Sequence, residues 1–319
     1  MLPTLEEIED ARRCIVGSAI RAPLVRLNLF DAPAEIYLKL ENLQPIGSFK
    51  IRGATNAMAH LPTEQLKRGV LTASAGNMAQ GVAWCARKLG IPCTVVAPDT
   101  APETKVKAIK QLGGRVIKVP FDRWWQTFQE RAYPGVDATF IHAFDDPHVM
   151  AGNGTIALEI LEDLPDVDAI VIPWGGGGLA CGIATAMRAT RPGCRLLAAE
   201  VATAAPLAAS LAAGSPQTVD YQPSFIDGIG SKTVLPQMLA SAQELIDGAL
   251  VASVEEVAAA LKLMVERNRI IAEGAGACAL ACALSGKAGK GKVVCVVSGG
   301  NIDVSKLCAV LDGVTHQGR

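Results

Sequence analysis

The chain has 319 residues and 33.3 kDa, too much for one small core and suited to one large α/β domain or two lobes. Half of its residues are hydrophobic and only 4% are aromatic, which favours helices packed closely on sheets over an aromatic-rich β-sandwich. A net charge of −1 and a pI near 6.4 provide no field for nucleic acid, and Gly, Pro or charge breaks each apolar stretch well before the roughly 18 residues of a membrane span.

The N-terminus, MLPTLEEIEDARR, is acidic and amphipathic and has no secretory apolar core, so a cytoplasmic enzyme is expected. IYLKL (36–40) reads as a strand, and SFKIRGATNAMAHL (48–61) reads as a helix with Ser48 at its start. GVLTAS (69–74), CTVVAP (93–98) and RVIKVP (115–120) read as strands. Helices from about 77 to 89 and 103 to 112 separate them, the second stopped by Gly113-Gly114. This βαβαβ order is what a parallel sheet needs, because each crossover requires a helix.

A second series follows: helix 148–163, strand DAIVIPW (168–174), helix 178–190 and strand CRLLAAE (194–200). Helices 254–269 and 273–284 precede a last strand, KVVCVVS (292–298). The nine cysteines are scattered, odd in number and without a CxxC pair, which argues against a disulfide framework or a zinc site. Cys278 and Cys282, one turn apart in an Ala-rich helix, read as small core thiols. Two α/β lobes are predicted, with ligands at the carboxyl ends of the strands.

Four loops at such ends bear chemistry. Lys50, in Gly47-Ser48-Phe49-Lys50, stands at a helix start; burial would lower its pKa and free the amine as a nucleophile, although a surface lysine would read the same locally. Ser74-Ala75-Gly76-Asn77 ends a strand and opens a helix, which suits an anion but also an ordinary cap. In Pro173-Trp174-Gly175-Gly176-Gly177-Gly178-Leu179, four successive glycines let backbone approach a phosphate at a positive helix end. No Gly-Lys-Ser/Thr follows, so this is not a P-loop; a dinucleotide fingerprint can be forced onto Gly175, Gly177 and Ala180, with Glu200 downstream. Ser298, in Ser298-Gly299-Gly300-Asn301, can hydrogen-bond a ring nitrogen or simply sit in a glycine turn. An amine, an anion cradle and a ring-edge donor together suit a phosphate-bearing aldehyde cofactor, whereas a nicotinamide has no use for Lys50.

KLENLQPIGSFKIRGA (39–54), TASAGNMAQGVA (72–83), HAFDDPHVMAGNGTIALEI (142–160), PWGGGGLACGI (173–183), EGAGA (273–277) and VVSGGNID (296–303) occur in one order along nearly the whole chain. In these words the sequence resembles the fold-type II pyridoxal-phosphate enzymes, in their serine/threonine dehydratase and serine racemase branch. The resemblance implies a two-lobed α/β fold like the tryptophan synthase β chain, each lobe a mostly parallel sheet flanked by helices. The large cofactor-binding lobe is expected over 1–64 and 146–319, and a small lobe closing over substrate over 65–145. The implied activity is β-elimination from L-threonine or L-serine to a 2-oxo acid and ammonia, in a homodimer with no nucleic-acid or membrane partner.

The resemblance also implies residue roles. Lys50 carries pyridoxal 5'-phosphate as a Schiff base and moves the Cα proton, Phe49 packs on the ring, and Asn77 bonds the ring hydroxyl. Gly175, Gly176, Gly177, Gly178 and Leu179 hold the phosphate, and Ser298 faces the pyridine nitrogen. Ser74, Ala75, Gly76 and Asn77 receive the substrate. Racemases of the branch have a serine where this chain has Ala75, so lyase activity is expected to exceed racemase activity. Relatives usually have His at Met78 and Gln at Asn153, and Arg123-Trp124-Trp125 is unusual. A lyase for phenylserine or 3-hydroxyaspartate therefore remains an alternative, ahead of a racemase or a β-replacement synthase. Of the branch's divalent-metal site, Glu200 and the carbonyl of Ala204 match, but Pro206 replaces the third ligand.

Overall fold

Thr4 opens the first helix with a capping box: its hydroxyl accepts from Glu7 N at 3.2 Å, and the Glu7 carboxylate accepts from Thr4 N at 2.7 Å. The computed structural model describes residues 1–314. In chain order the helices are α1 (Leu5–Cys14), α2 (Lys50–Ala59), α3 (Thr63–Arg68), α4 (Asn77–Leu89), α5 (Glu103–Gln111), α6 (Phe121–Glu130) and α7 (Pro147–Asp163). They continue with α8 (Gly178–Thr190), α9 (Pro206–Ala213), α10 (Pro236–Leu245), α11 (Val254–Leu263), α12 (Gly274–Leu284) and α13 (Val304–Leu311). The strands are β1 (Leu24–Arg26), β2 (Glu35–Leu40), β3 (Val70–Ala73), β4 (Cys93–Pro98), β5 (Arg115–Val119), β6 (Thr139–Phe140), β7 (Ala169–Pro173), β8 (Arg195–Val201), β9 (Gly248–Ala252) and β10 (Lys292–Val297).

Two sheets result. Six strands run in the order β1-β2-β10-β7-β8-β9, and four run β5-β4-β3-β6. Every pairing is parallel except the edge pair β1–β2. β7 is buried at every position and β10 at all but its first, as expected of strands covered by helices on both faces. The expected α/β architecture with parallel sheets flanked by helices is therefore present. No helix among the described residues is long and apolar enough to cross a membrane.

Most of the strands and helices read from sequence fall within a residue or two of their expected ends. Two departures have local causes. Ser48 does not cap α2; it bridges to Gly299 while Phe49 N donates to Ser298 O at 3.1 Å, so the helix starts at Lys50. The expected helix 254–269 is α-helical only to Leu263; a π turn over Met264–Asn268 follows, and Arg269 ends it at φ 60°.

α2 links the two sheets. Its Ile51, Ala54, Ala57 and Met58 share a core with Val70, Val82 and Val95 around the four-stranded sheet. On its other side Arg52, fully buried, forks onto Glu41 (Nε–Oε2 and Nη2–Oε1, both 2.8 Å) and onto Glu159 (2.7 and 2.9 Å). Lys39 completes the cluster at 2.6 Å from Glu159. Two cations and two carboxylates cancel, and bidentate geometry offsets their desolvation. The helix that begins with Lys50 is thereby fixed to β2 and α7. α12, apolar all round, is buried from Gly274 to Ala283; its Cys278 and Cys282 are free core thiols, as expected.

Candidate active site

A cavity of about 340 Å³ lies between the carboxyl ends of the two sheets. Its lining includes Phe49, Lys50, Ser74, Gly76, Asn77, the loop from Gly175 to Leu179, and Ser298, so the four loops singled out in the sequence converge. Ala75 does not line it. The Ala75 methyl packs instead with Ala97, Ala101 and Val106.

Lys50 sits at the N-terminus of α2, and its ammonium donates to the Ala143 carbonyl at 2.6 Å. Burial lowers its pKa to about 8, against the opposing pull of Glu273. A neutral amine is thus accessible near neutral pH, which a Schiff-base lysine requires. The Nζ lies 5.0 Å from the centre of the Phe49 ring.

The tetraglycine loop opens α8, with Gly177 as the residue before the helix at φ 94°. A Cβ on Gly177 would lie 2.5 Å from the Trp174 ring, and one on Gly176 would run into the Phe144 ring at 2.1 Å. Only glycine permits this approach, and the N–H groups of the helix's first turn, which have no partner within the helix, are left for an anion. Asn153, expected near the pocket, lies behind this loop, with Nδ2 donating to Gly178 O at 3.2 Å. Met78 does line the cavity.

On the opposite wall, Gly76 precedes α4, and a Cβ there would meet nothing within 4 Å. This leaves room for a ligand carboxylate against the loop. Asn77 is held from both sides: its Nδ2 donates to Glu273 Oε1 at 2.8 Å and its Oδ1 accepts from Asn301 Nδ2 at 2.8 Å. Asn301 also donates to Ile46 O at 2.8 Å.

Sequence reasoning missed several residues of this cavity. Glu273 is buried beside Asn77; burial, then repulsion from Asp227, raises its pKa to about 7. It lies in EGAGA, a motif that marks the resemblance but contains no local pattern that names the acid. Lys105 and Asp227 form an ion pair of 2.9 Å at the rim, from positions 122 apart in sequence. Not missed were Trp124 and Trp125, of the segment singled out in the sequence as lobe packing or a wall; with Phe128 of α6 they line one end, Trp125 stacked on Phe128 at 5.4 Å. Trp124 also packs on the Leu71, Val96 and Val119 core, so it is both lobe packing and wall. Behind them His142 accepts from Asp145 N at 2.7 Å, and burial lowers its pKa to about 4, so the ring is neutral.

The residues matched to a divalent-metal site do not fit one. The two Glu200 oxygens accept from Leu207 N at 2.9 Å and Ala208 N at 2.7 Å, at the start of α9. Pro206 supplies no side-chain oxygen, and Ala204 is buried in a turn with its N–H on Val201 O. Hard cations need several oxygen ligands, and of the matched residues only the Glu200 carboxylate, already engaged, and the Ala204 carbonyl offer any.

A family model described as "Pyridoxal-phosphate dependent enzyme" matches residues 16–299. The chain is 41% identical to an L-threonine ammonia-lyase of Thermotoga maritima, over 99% of this chain and 80% of that protein. It is 44% identical to an L-threonine ammonia-lyase of Geobacter sulfurreducens, over all of this chain and 81% of the relative. The processed form of threonine deaminase isoform 2 from Solanum lycopersicum superposes with a TM-score of 0.89 at 35% identity, covering 97% of this chain and 90% of that one. A half-buried lysine of lowered pKa beside a glycine-cradled helix start agrees with these likenesses: the chain belongs to the pyridoxal-phosphate dependent enzymes.

Proposed function

We propose that the enzyme eliminates water from L-threonine or L-serine and releases ammonia and a 2-oxo acid. The observation that carries this reading is the buried Lys50 amine, with its pKa near 8, on the floor of a cavity between an anion-binding helix start and an open Ser74–Asn77 turn. When bound, pyridoxal 5'-phosphate supplies an electrophilic carbon and a conjugated ring that delocalises negative charge from the substrate Cα.

Lys50 would hold the cofactor, and its neutral amine, once free, would remove the substrate Cα proton. The N–H groups from Gly175 to Leu179 hold the phosphate. Phe49 would pack on one ring face, Asn77 would bond the ring hydroxyl, and the Ser298 hydroxyl would meet the ring nitrogen without protonating it. Ser74, Ala75 and Gly76 receive the substrate carboxylate; the Ser74 N–H is taken by Val96 O at 3.0 Å, which leaves its hydroxyl as the group for the ligand. Movement of residues 65–145 over the cavity excludes water until the enamine product leaves and hydrolyses. The working state is a cytoplasmic homodimer.

The test is the absorption of the purified protein, then addition of L-threonine with 2-oxobutyrate detection. A yellow protein whose band shifts as 2-oxobutyrate accumulates is the expected result. A protein that cannot be loaded with the cofactor would overturn the reading.

The Trp124, Trp125 and Phe128 wall favours a second reading, in which the preferred substrate is a 3-hydroxy amino acid with a bulkier side chain, such as phenylserine. Rates on threonine, serine, 3-hydroxyaspartate and phenylserine rank the two.

A further inference from the structure

Away from the cavity, three side chains of different chemistry converge where α1 and α2 end. Asp10 and Cys14 stand one turn apart on the same face of α1, and His60 is the residue that caps the C-terminus of α2. Asp10 Oδ2 lies 3.3 Å from His60 Nε2 and 3.7 Å from Cys14 Sγ, and all three ligand atoms fall within 4.8 Å of one another. Zinc bonds of about 2.0–2.3 Å at tetrahedral angles place neighbouring ligand atoms roughly 3.3–3.6 Å apart. Two of the three separations are already close to that, and a small rotation of two half-exposed side chains closes the third.

The surroundings prepare the same atoms. His60 Nδ1 lies 2.8 Å from Asn56 O, and a carbonyl can only accept, so this nitrogen carries a proton and Nε2 is the ring atom turned towards Asp10 and available to a metal ion that displaces any proton there. A backbone acceptor on the far ring nitrogen is how metal-bound histidines are usually oriented. The ring is further held by stacking on His148, with centroids 4.4 Å apart. Arg13 takes the other Asp10 oxygen at 2.7 Å and so leaves Oδ2 turned towards the thiol and the imidazole. Two helix C-termini meet there, and their partial negative charge favours a cation.

We propose that Asp10, Cys14 and His60 form a zinc site that clamps the end of α1 to the end of α2, with a fourth position open to water. The thiolate and carboxylate neutralise the ion, and binding releases the Cys14 proton. The set has one sulfur, one nitrogen and one oxygen donor, which suits zinc better than a hard cation. The cysteine pattern in the sequence argued against a zinc site; Asp10, Cys14 and His60 follow no motif spacing, and only the packing of α1 against α2 brings them together. The helix clamped at His60 carries Lys50 at its other end.

The experiment uses chelator-treated holoenzyme dialysed against zinc, with bound metal and cofactor measured together. Wild type is expected to retain one equivalent of zinc, and Cys14→Ser and His60→Ala are expected to weaken binding at least tenfold while keeping the cofactor absorption. Affinity should rise with pH as the thiol proton is displaced. A measurement on wild type alone guards against poorly folded variants. Zinc should protect Cys14 from alkylation, read by mass spectrometry, and leave Cys308, the exposed thiol outside the site, equally reactive. Zinc uptake that is unchanged in both variants, or Cys14 alkylation that is indifferent to zinc, would overturn the proposal.

Discussion

Asn77, from the four-stranded side of the molecule, donates its carboxamide to Glu273 on the six-stranded side at 2.8 Å. The contact joins the two walls of the cavity through a single side chain whose oxygen is also occupied by Asn301. Asn77→Ala leaves the buried Glu273 without this donor, a loss of about 1–3 kcal/mol. The expected outcome is a lower urea midpoint for the apoprotein and cofactor affinity weaker by about tenfold or more, measured by fluorescence titration. An unchanged affinity would show that Asn77 only seals the seam.

Lys50→Ala should abolish both the visible absorption of the bound cofactor and turnover. In wild-type apoprotein, the rate of cofactor attachment should rise with pH through about 8, the value to which burial brings the Lys50 amine, and level off above it. Stopped-flow absorbance reads this directly. A rate still climbing through the range of free lysine, about 10, would place the amine in water.

Arg52 is fully buried between Glu41 and Glu159. Arg52→Ala would strand two carboxylates and should cost about 3–5 kcal/mol of stability. Arg52→Lys cannot restore the two-pronged contact and should recover only part of it. Denaturant unfolding of the two variants separates these effects.

Glu200 and Glu273 each have a pKa raised by burial to about 7, against an ordinary 4.5. Between these values the folded chain holds protons that the unfolded chain has released. Stability is therefore expected to fall as pH rises from about 4.5 to about 7 and then to level off, as far as these two groups are concerned. Glu200→Gln should flatten its share of the slope, measured as the difference in unfolding free energy between about pH 5 and about pH 8.

Trp124→Ala tests whether the aromatic wall meets substrate. If it does, kcat/KM for phenylserine should drop about 3- to 10-fold, the worth of one aromatic contact, while threonine changes little. Equal losses on both substrates would assign Trp124 to packing on Leu71, Val96 and Val119 alone.

The strands that carry the cavity were legible because they are short apolar runs closed by glycine, and the loops after β3, β7 and β10 stood out as Ser-Ala-Gly-Asn, tetraglycine and Ser-Gly-Gly-Asn. Elements without such punctuation escaped notice. β1 and β6 have only three and two residues, and α6 follows Pro120 with aromatics that resemble a loop wall as much as a helix face. Lys50 could be named because a motif surrounds it. Glu273, Lys105 and Asp227 could not, because their roles arise from contacts across many residues of chain. The cluster of Asp10, Cys14 and His60 was hidden for the same reason.

The position of β10 between β2 and β7 bears on how the protein is made. All strands of the four-stranded sheet lie between residues 70 and 140, so that sheet can pair as soon as this stretch leaves the ribosome. The six-stranded sheet cannot. Its third strand in spatial order is the last of these six to be synthesised, and until Val297 emerges the edges of β2 and β7 stand open to aggregation or to a chaperone. The cavity, which Ser298 lines just beyond that strand, is therefore completed only after both sheets' other strands have been made, and a chain terminated before β10 would have one finished sheet and an open cavity.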